Sequence, residues 1–107
     1  MLPRPADDPV LRRYRAALDK IYGDRLDRVV LFGSRARGDA QMDSDYDVAV
    51  FLKSMPDRWA EFHRLADLRI GFLEDDRAFF DSKPFGARAY DQRTPLMRDI
   101  RRDGVDL

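Results

Sequence analysis

The stretch LFGSRARGDAQMDSDYDVAVFL, residues 31–52, decides how this chain folds and what chemistry it can carry. The apolar run Val29 to Phe32 reads as the end of a buried strand. Gly33 follows it, and the missing side chain lets backbone N–H groups come close to a phosphate. Ser34 offers both a cap for a short helical turn and a hydroxyl donor for a phosphate oxygen. Ten residues further on, Asp45 and Asp47 open a second apolar run. Side chains alternate along a strand, so the two carboxylates share one face. Such a pair suits Mg²⁺, which takes one or two protein carboxylates and fills its other positions with water and substrate phosphates. Arg35 and Arg37 lie in the intervening turn and are candidates to neutralise triphosphate charge, a surface ion pair being the equal alternative for each. Asp43, just outside the pair, reads as a loop residue.

Outward from this stretch, Val10, Leu11, Tyr14, Leu18 and Ile21 recur at helical spacing and Gly23 stands where a helix stops. Residues 28–32 form a first strand, 33–38 a turn with a short helical piece, and 39–44 a polar loop. Tyr46 to Leu52 form a second strand whose even positions, Tyr46, Val48, Val50 and Leu52, face a helical layer. Ser54 reads as the cap of a long helix, with Pro56 in its first turn. This helix runs to about Glu74 and carries Trp59, Phe62, Ala66, Ile70 and Leu73 on one stripe. Arg77 to Phe85 reads as a third strand, with Pro84 placing its end or an edge there. Thr94-Pro95 caps a last helix that Gly104 ends. The order of elements predicts an α+β fold with a small mixed β-sheet packed on one side by helices. Trp59, Phe62, Phe72, Phe79 and Phe80 are expected in the core, His63 at or near the surface, and Arg98, Arg101 and Arg102 on a solvated face. Glu74-Asp75-Asp76 reads as a helix-ending loop.

With 107 residues, one domain spanning 1–107 is expected, residues 1–8 forming a flexible lead. The 20 basic and 20 acidic residues cancel, so a bulk attraction to nucleic acid is not indicated and phosphate recognition must be local. There is no cysteine and one histidine, which excludes a disulfide framework and the usual zinc sites. No signal-peptide core or membrane-length apolar run is present, so a cytoplasmic protein is expected. The oligomeric state, a homo-oligomer included, stays open.

The segment GSRARGDAQMDSDYDVAV resembles the signature of the DNA polymerase beta-like nucleotidyltransferase superfamily: GS, ten residues, then DxD. The ARG after the serine, the SD before the second aspartate and the ending RTPLMRDIRRDGVDL resemble the minimal nucleotidyltransferase group, over roughly residues 10–107. The resemblance implies the polymerase beta-like fold and a Mg²⁺-dependent transfer of a nucleoside monophosphate, with ATP as substrate and two Mg²⁺ ions accompanying the bound nucleotide. It implies Gly33 and Ser34 as holders of the β and γ phosphates, and Asp45 and Asp47 as metal ligands, Asp47 bridging both ions. Relatives add a third carboxylate from the neighbouring strand. Here that strand reads RAFFDSKPF, and Phe79 stands at the usual position. Asp81, two residues on and on the same strand face, is the candidate third catalytic and metal-binding acid. The group's small proteins are commonly antitoxins of HEPN-domain ribonuclease toxins and act by adding AMP to a tyrosine of the toxin, so the resemblance implies such a partner. The alternative is a catalytically inactive protein of the same fold that neutralises its partner by binding, with transfer to a small molecule or an RNA end as a weaker third reading.

Overall fold

The computed structural model describes residues 2–107. Helix α1, Pro9–Tyr22, starts where the Asp8 carboxylate accepts from the Val10 N–H with Pro9 in the first turn, and it stops at Gly23, φ +54°. Its buried stripe is Leu11, Tyr14, Leu18 and Tyr22. Ile21, expected in that stripe, is 41% exposed, because Tyr22 occupies the inward position four residues after Leu18. Asp8, expected at the end of a flexible lead, is buried and accepts a 2.6 Å hydrogen bond from the Tyr46 hydroxyl.

Strands β1, Leu26–Phe32, and β2, Tyr46–Leu52, pair antiparallel, with Phe32 opposite Asp47. Helix α2, Ser34–Arg37, lies between them, and helix α3, Arg58–Asp76, crosses over to β3, Phe80–Gly86, which pairs parallel to β2 with Asp81 beside Asp47. A parallel neighbour demands such a crossover, and a helix of this length supplies it. Helix α4, Pro95–Asp103, precedes a two-residue strand β4, Val105–Asp106, antiparallel to β1. The sheet order is β3-β2-β1-β4. Strand β4 is absent from the sequence reading because two residues carry no periodicity. β3 starts later than expected, since α3 continues to Asp76 and Arg77 closes it in the left-handed region, φ +54°. Pro84 sits inside an edge strand, where a missing N–H is tolerated.

Helices cover both faces of the sheet, not one. On the first face, Val48, Val50 and Leu52 of β2 and Val29 and Leu31 of β1 pack against α1 and against Leu65, Leu68 and Phe72 of α3. Tyr14 and Phe80 stack at the centre with ring centroids 3.8 Å apart. On the second face, Val30, Phe32, Ala49 and Phe51 meet Met97 and Ile100 of α4. Gly104 lets the chain leave α4 tightly: a Cβ there would lie 2.2 Å from the Ile100 carbonyl oxygen and 2.5 Å from Val30 Cγ1.

The long helix faces the core with the opposite side from the one its apolar residues suggest. Its N-cap is Asp57, which accepts from the Ala60 N–H at 3.2 Å, and its buried line is Glu61, Leu65, Leu68 and Phe72. Trp59 is 76% exposed and Ile70 51%, with Phe62 and Ala66 on the same outer side. Phe79 is likewise exposed, whereas Phe80 is buried as expected. Glu61 turns the helix this way. Its carboxylate, 2% exposed, accepts from Arg25 at 2.7 Å and from Arg64 at 2.9 Å. Counting acids as outward-facing misses a buried glutamate held by two arginines.

Burial alone pushes the Glu61 carboxyl up, but the hydrogen bonds from Arg25 and Arg64 outweigh it and hold it below its ordinary 4.5. A carboxyl depressed on folding adds stability that is complete above the ordinary value and disappears as pH falls through the folded one. Glu61→Gln is therefore expected to lower unfolding free energy by about 1–2 kcal/mol at neutral pH, because both arginines keep partial solvent contact. In urea titrations repeated at falling pH, the gap between wild type and variant should close below pH 4.5.

Candidate functional site

Strand pairing builds the site before any ligand does. Antiparallel β1–β2 pairing puts Phe32 opposite Asp47, and parallel β2–β3 pairing puts Asp81 on the other side of Asp47. Gly33, Asp47 and Asp81 thus form a row across three strands on the second face of the sheet. Helix α4 covers the Phe51 end of that face and leaves this end open.

Gly33 touches Asp47. A Cβ built on Gly33 would lie 2.3 Å from Asp47 Oδ2, so only glycine fits, and its φ of +74° independently favours glycine. The same residue caps α2, its carbonyl accepting from the Ala36 and Arg37 N–H groups at 3.1 Å each. Ser34, expected as the cap, is instead the first residue of the helix. Its hydroxyl makes no hydrogen bond among the described residues, which leaves a donor beside Gly33.

Asp47 is half-buried and its pKa is raised, by desolvation first, then by the charge of Asp81, with a further push from Asp45; Lys83 and Arg37 oppose the shift. Both other candidate acids, Asp81 and Asp45, therefore act on Asp47. Asp45 is exposed at the mouth of β2. Among the described residues no three histidine or acidic side chains stand close enough to make a complete metal cluster. The donor set still fits a hard divalent cation. Its oxygens are carboxylates, and mutual repulsion at Asp47 is relieved by positive charge, with water and phosphate completing the coordination.

Lys83 is the site residue that the sequence reading missed. It pairs with Ala49 in the β2–β3 register and points to the same face as Asp81, its ammonium 3.5 Å from Asp81 Oδ2 and 6.0 Å from the Phe32 ring centre. Strand alternation from Asp81 would have found it.

Arg35 and Arg37 part company. The Arg35 guanidinium donates to the carbonyls of Ser44 at 2.9 Å and Met42 at 3.1 Å and lies 3.9 Å over the Tyr46 ring. It holds the loop that carries Asp45. Arg37 forms an exposed pair with Asp39 at 3.3 Å and reaches Asp47 through its charge. Asp43 lies in the loop, as expected, and His63 is exposed. A cavity of about 390 Å³ opens behind α2, lined by Asp8, Leu31, Arg35, Ala36 and Tyr46 among others, and is separate from the Gly33–Asp47 row.

Against known proteins, the nucleotidyltransferase domain family matches residues 11–96. Two proteins of Methanocaldococcus jannaschii are similar in sequence. "Putative protein adenylyltransferase MJ0141" is 45% identical over 47 residues, 44% of this chain and 48% of that protein. "Putative protein adenylyltransferase MJ1305" is 42% identical over 53 residues, 49% of this chain and 36% of that protein. The matched part thus spans about half or less of these curated relatives. Among solved structures, a chain of a toxin–antitoxin with AMP-PNP superposes with a TM-score of 0.62 at 20% identity, covering 88% of this chain and 69% of that one. A chain of the toxin–antitoxin MntA–HpeT gives 0.61 at 21% identity, over 90% and 70%. These likenesses show that the fold is shared.

The contact between Gly33 and Asp47 makes a sharp test. Gly33→Ala should lower stability by about 1–2 kcal/mol, from backbone strain at positive φ. It should also displace the Asp47 carboxylate. In thermal-shift measurements, the stabilisation of wild type by Mg²⁺ with ATP should be absent in this variant.

Proposed function

Because the chain belongs to the nucleotidyltransferase domain family, we propose that it transfers AMP from ATP to a hydroxyl of a partner protein, as the antitoxin of a HEPN-type ribonuclease toxin in the cytoplasm. The observation that supports the chemistry is the row Gly33, Asp47, Asp81, which sets a glycine corner with a donor hydroxyl beside carboxylates on one open face. The names of the M. jannaschii relatives support adenylyl transfer to protein, and the solved neighbours support a toxin as partner. Zero net charge argues against an RNA acceptor.

In this reading the backbone N–H groups at Gly33 and Ser34 and the Ser34 hydroxyl hold the β and γ phosphates, with Arg37 offsetting their charge. Arg35 keeps Asp45 in place by fixing the loop behind it. Asp45, Asp47 and Asp81 are the residues that would hold Mg²⁺, Asp47 centrally. Bound there, the metal would supply positive charge to offset that developing on the transferring phosphoryl group and to make the acceptor hydroxyl more acidic. The acceptor oxygen attacks the α phosphorus, its bond to the bridging oxygen breaks, and pyrophosphate leaves. Asp81, at the open edge of the sheet, takes the acceptor proton and passes it to water.

A second reading, an inactive protein that neutralises its partner by binding, has one observation in its favour. The Lys83 ammonium already pairs with Asp81, supplying positive charge where a second metal would sit.

Label transfer separates the two. With Mg²⁺, α-labelled ATP and the product of the adjacent reading frame as candidate partner, wild type should label that protein, and Asp47→Asn should lose at least about 100-fold in rate. Asp81→Asn should fall comparably if it is the third ligand, and wild-type activity in that variant would remove it from the set. No label with wild type, while the partner is still neutralised, would establish the second reading.

A further inference from the structure

The outer side of α3 carries an apolar line that reads the same in both directions. Trp59, Phe62, Ala66, Ile70 and Leu73 follow one another in steps of three, four, four and three, with the small residue in the middle. Trp59 is 76% exposed, Ile70 51% and Phe62 36%, and Ala66 is exposed between them. Neither core cluster includes them: α3 buries Glu61 and Leu65 and packs the half-buried Leu68 and Phe72 on its other side, and Leu73, at the end of the outer line, is half-buried. A step pattern averaging three and a half residues is the seam of a helix that packs along a second helix.

We infer that α3 pairs antiparallel with α3 of a second copy of this chain, about a two-fold axis through Ala66. Under that axis Trp59 of one copy layers with Leu73 of the other, and Phe62 with Ile70, while Ala66 meets itself. Two alanines at the crossing point let the helix axes come close, and each aromatic fills the space beside an aliphatic partner. An unrelated partner would not require this internal symmetry, whereas an isologous interface does.

Charge agrees with the direction. The first turn of α3 carries Arg58, which lies over the Phe62 ring, and the last carries the exposed Glu74, each eight residues from Ala66; Asp76 is already paired with Arg13 of α1. Antiparallel pairing sets Arg58 of each copy against Glu74 of the other and opposes the two helix dipoles, whereas parallel pairing would set Arg58 against Arg58 and Glu74 against Glu74. His63 and Arg69 add no attraction. The sheet separates α3 from the Gly33–Asp47 row, so both sites remain open in the dimer. A single helix pair buries less than about 1,200 Å², so association in the range of roughly 10 µM is expected.

Sedimentation velocity on the full chain, from a few to several hundred micromolar, is the first arm, and a monomer–dimer equilibrium is expected. Ala66→Arg puts two like charges on the axis without touching the core and should give a monomer with an unchanged melting temperature. The chain has no cysteine, so Ala66→Cys should form a disulfide-linked dimer under mild oxidation. Trp59→Cys should not, because the antiparallel register keeps the two copies of that residue apart. A wild type that stays monomeric, a dimer indifferent to Ala66→Arg, or efficient cross-linking at Trp59→Cys would each overturn the inference. So would a monomeric wild type whose partner binding is abolished by Ala66→Arg, which would give this surface to the toxin.

Discussion

The register of β2 against both its neighbours is the constraint on which the rest depends. Antiparallel pairing with β1 brings the end of that strand, and therefore Gly33, to Asp47. Parallel pairing with β3 brings Asp81 to the other side of the same residue. Slip either pairing by one residue and every side chain of that strand turns to the opposite face, which would bury Asp81 or remove it from Asp47. The apolar even positions of β2 prevent such a slip. Val48, Val50 and Leu52 are fully buried in the larger core, so the hydrophobic effect that holds the sheet on α1 and α3 also aims the carboxylates the other way.

The two faces of the sheet do different work. The first carries the larger core, with the stacked Tyr14, Phe80 and Tyr46 rings and the crossover helix. The second is covered at the Phe51 end by α4 and left open at the Asp47 end. Asp47 is the residue where these demands collide, half-buried by its strand and raised in pKa by that burial and by its acidic neighbours. Nearby positive charge favours the ionised form of such a group. Lys83 supplies part of that charge within the chain itself.

The sequence made the strands and the motif legible because both rest on short-range patterns. Period-two alternation locates β2 and its buried face, and the glycine-serine corner with its DxD pair singles out Gly33 and Asp47, which the fold brings into contact. Thr94, Pro95 and Gly104 marked α4 for the same reason. What failed was long-range. The orientation of α3 depends on Glu61 meeting Arg25, 36 residues earlier, and no periodicity within the helix reveals that pair. Two residues of β4 are held by β1 alone. Lys83 is different: it stands two residues from Asp81 on the same strand face, so alternation along β3 does point to it. Charge alone marks Arg35 as a phosphate candidate, and the hydrogen bonds to the Ser44 and Met42 carbonyls are a second role that composition does not reveal.

That arginine has a consequence for how ready the proposed nucleotide site is. Its planar head is clipped to two carbonyls and laid flat on Tyr46, whose own hydroxyl is tied to Asp8 in front of α1. The polar segment 39–45 is therefore braced from behind by the first helix. A loop of that composition, left untethered, would sample many shapes and forfeit binding free energy each time it was brought to order. Braced, it presents Asp45 in a standing position, so that under the proposed function an incoming nucleotide would meet a surface already set to receive it.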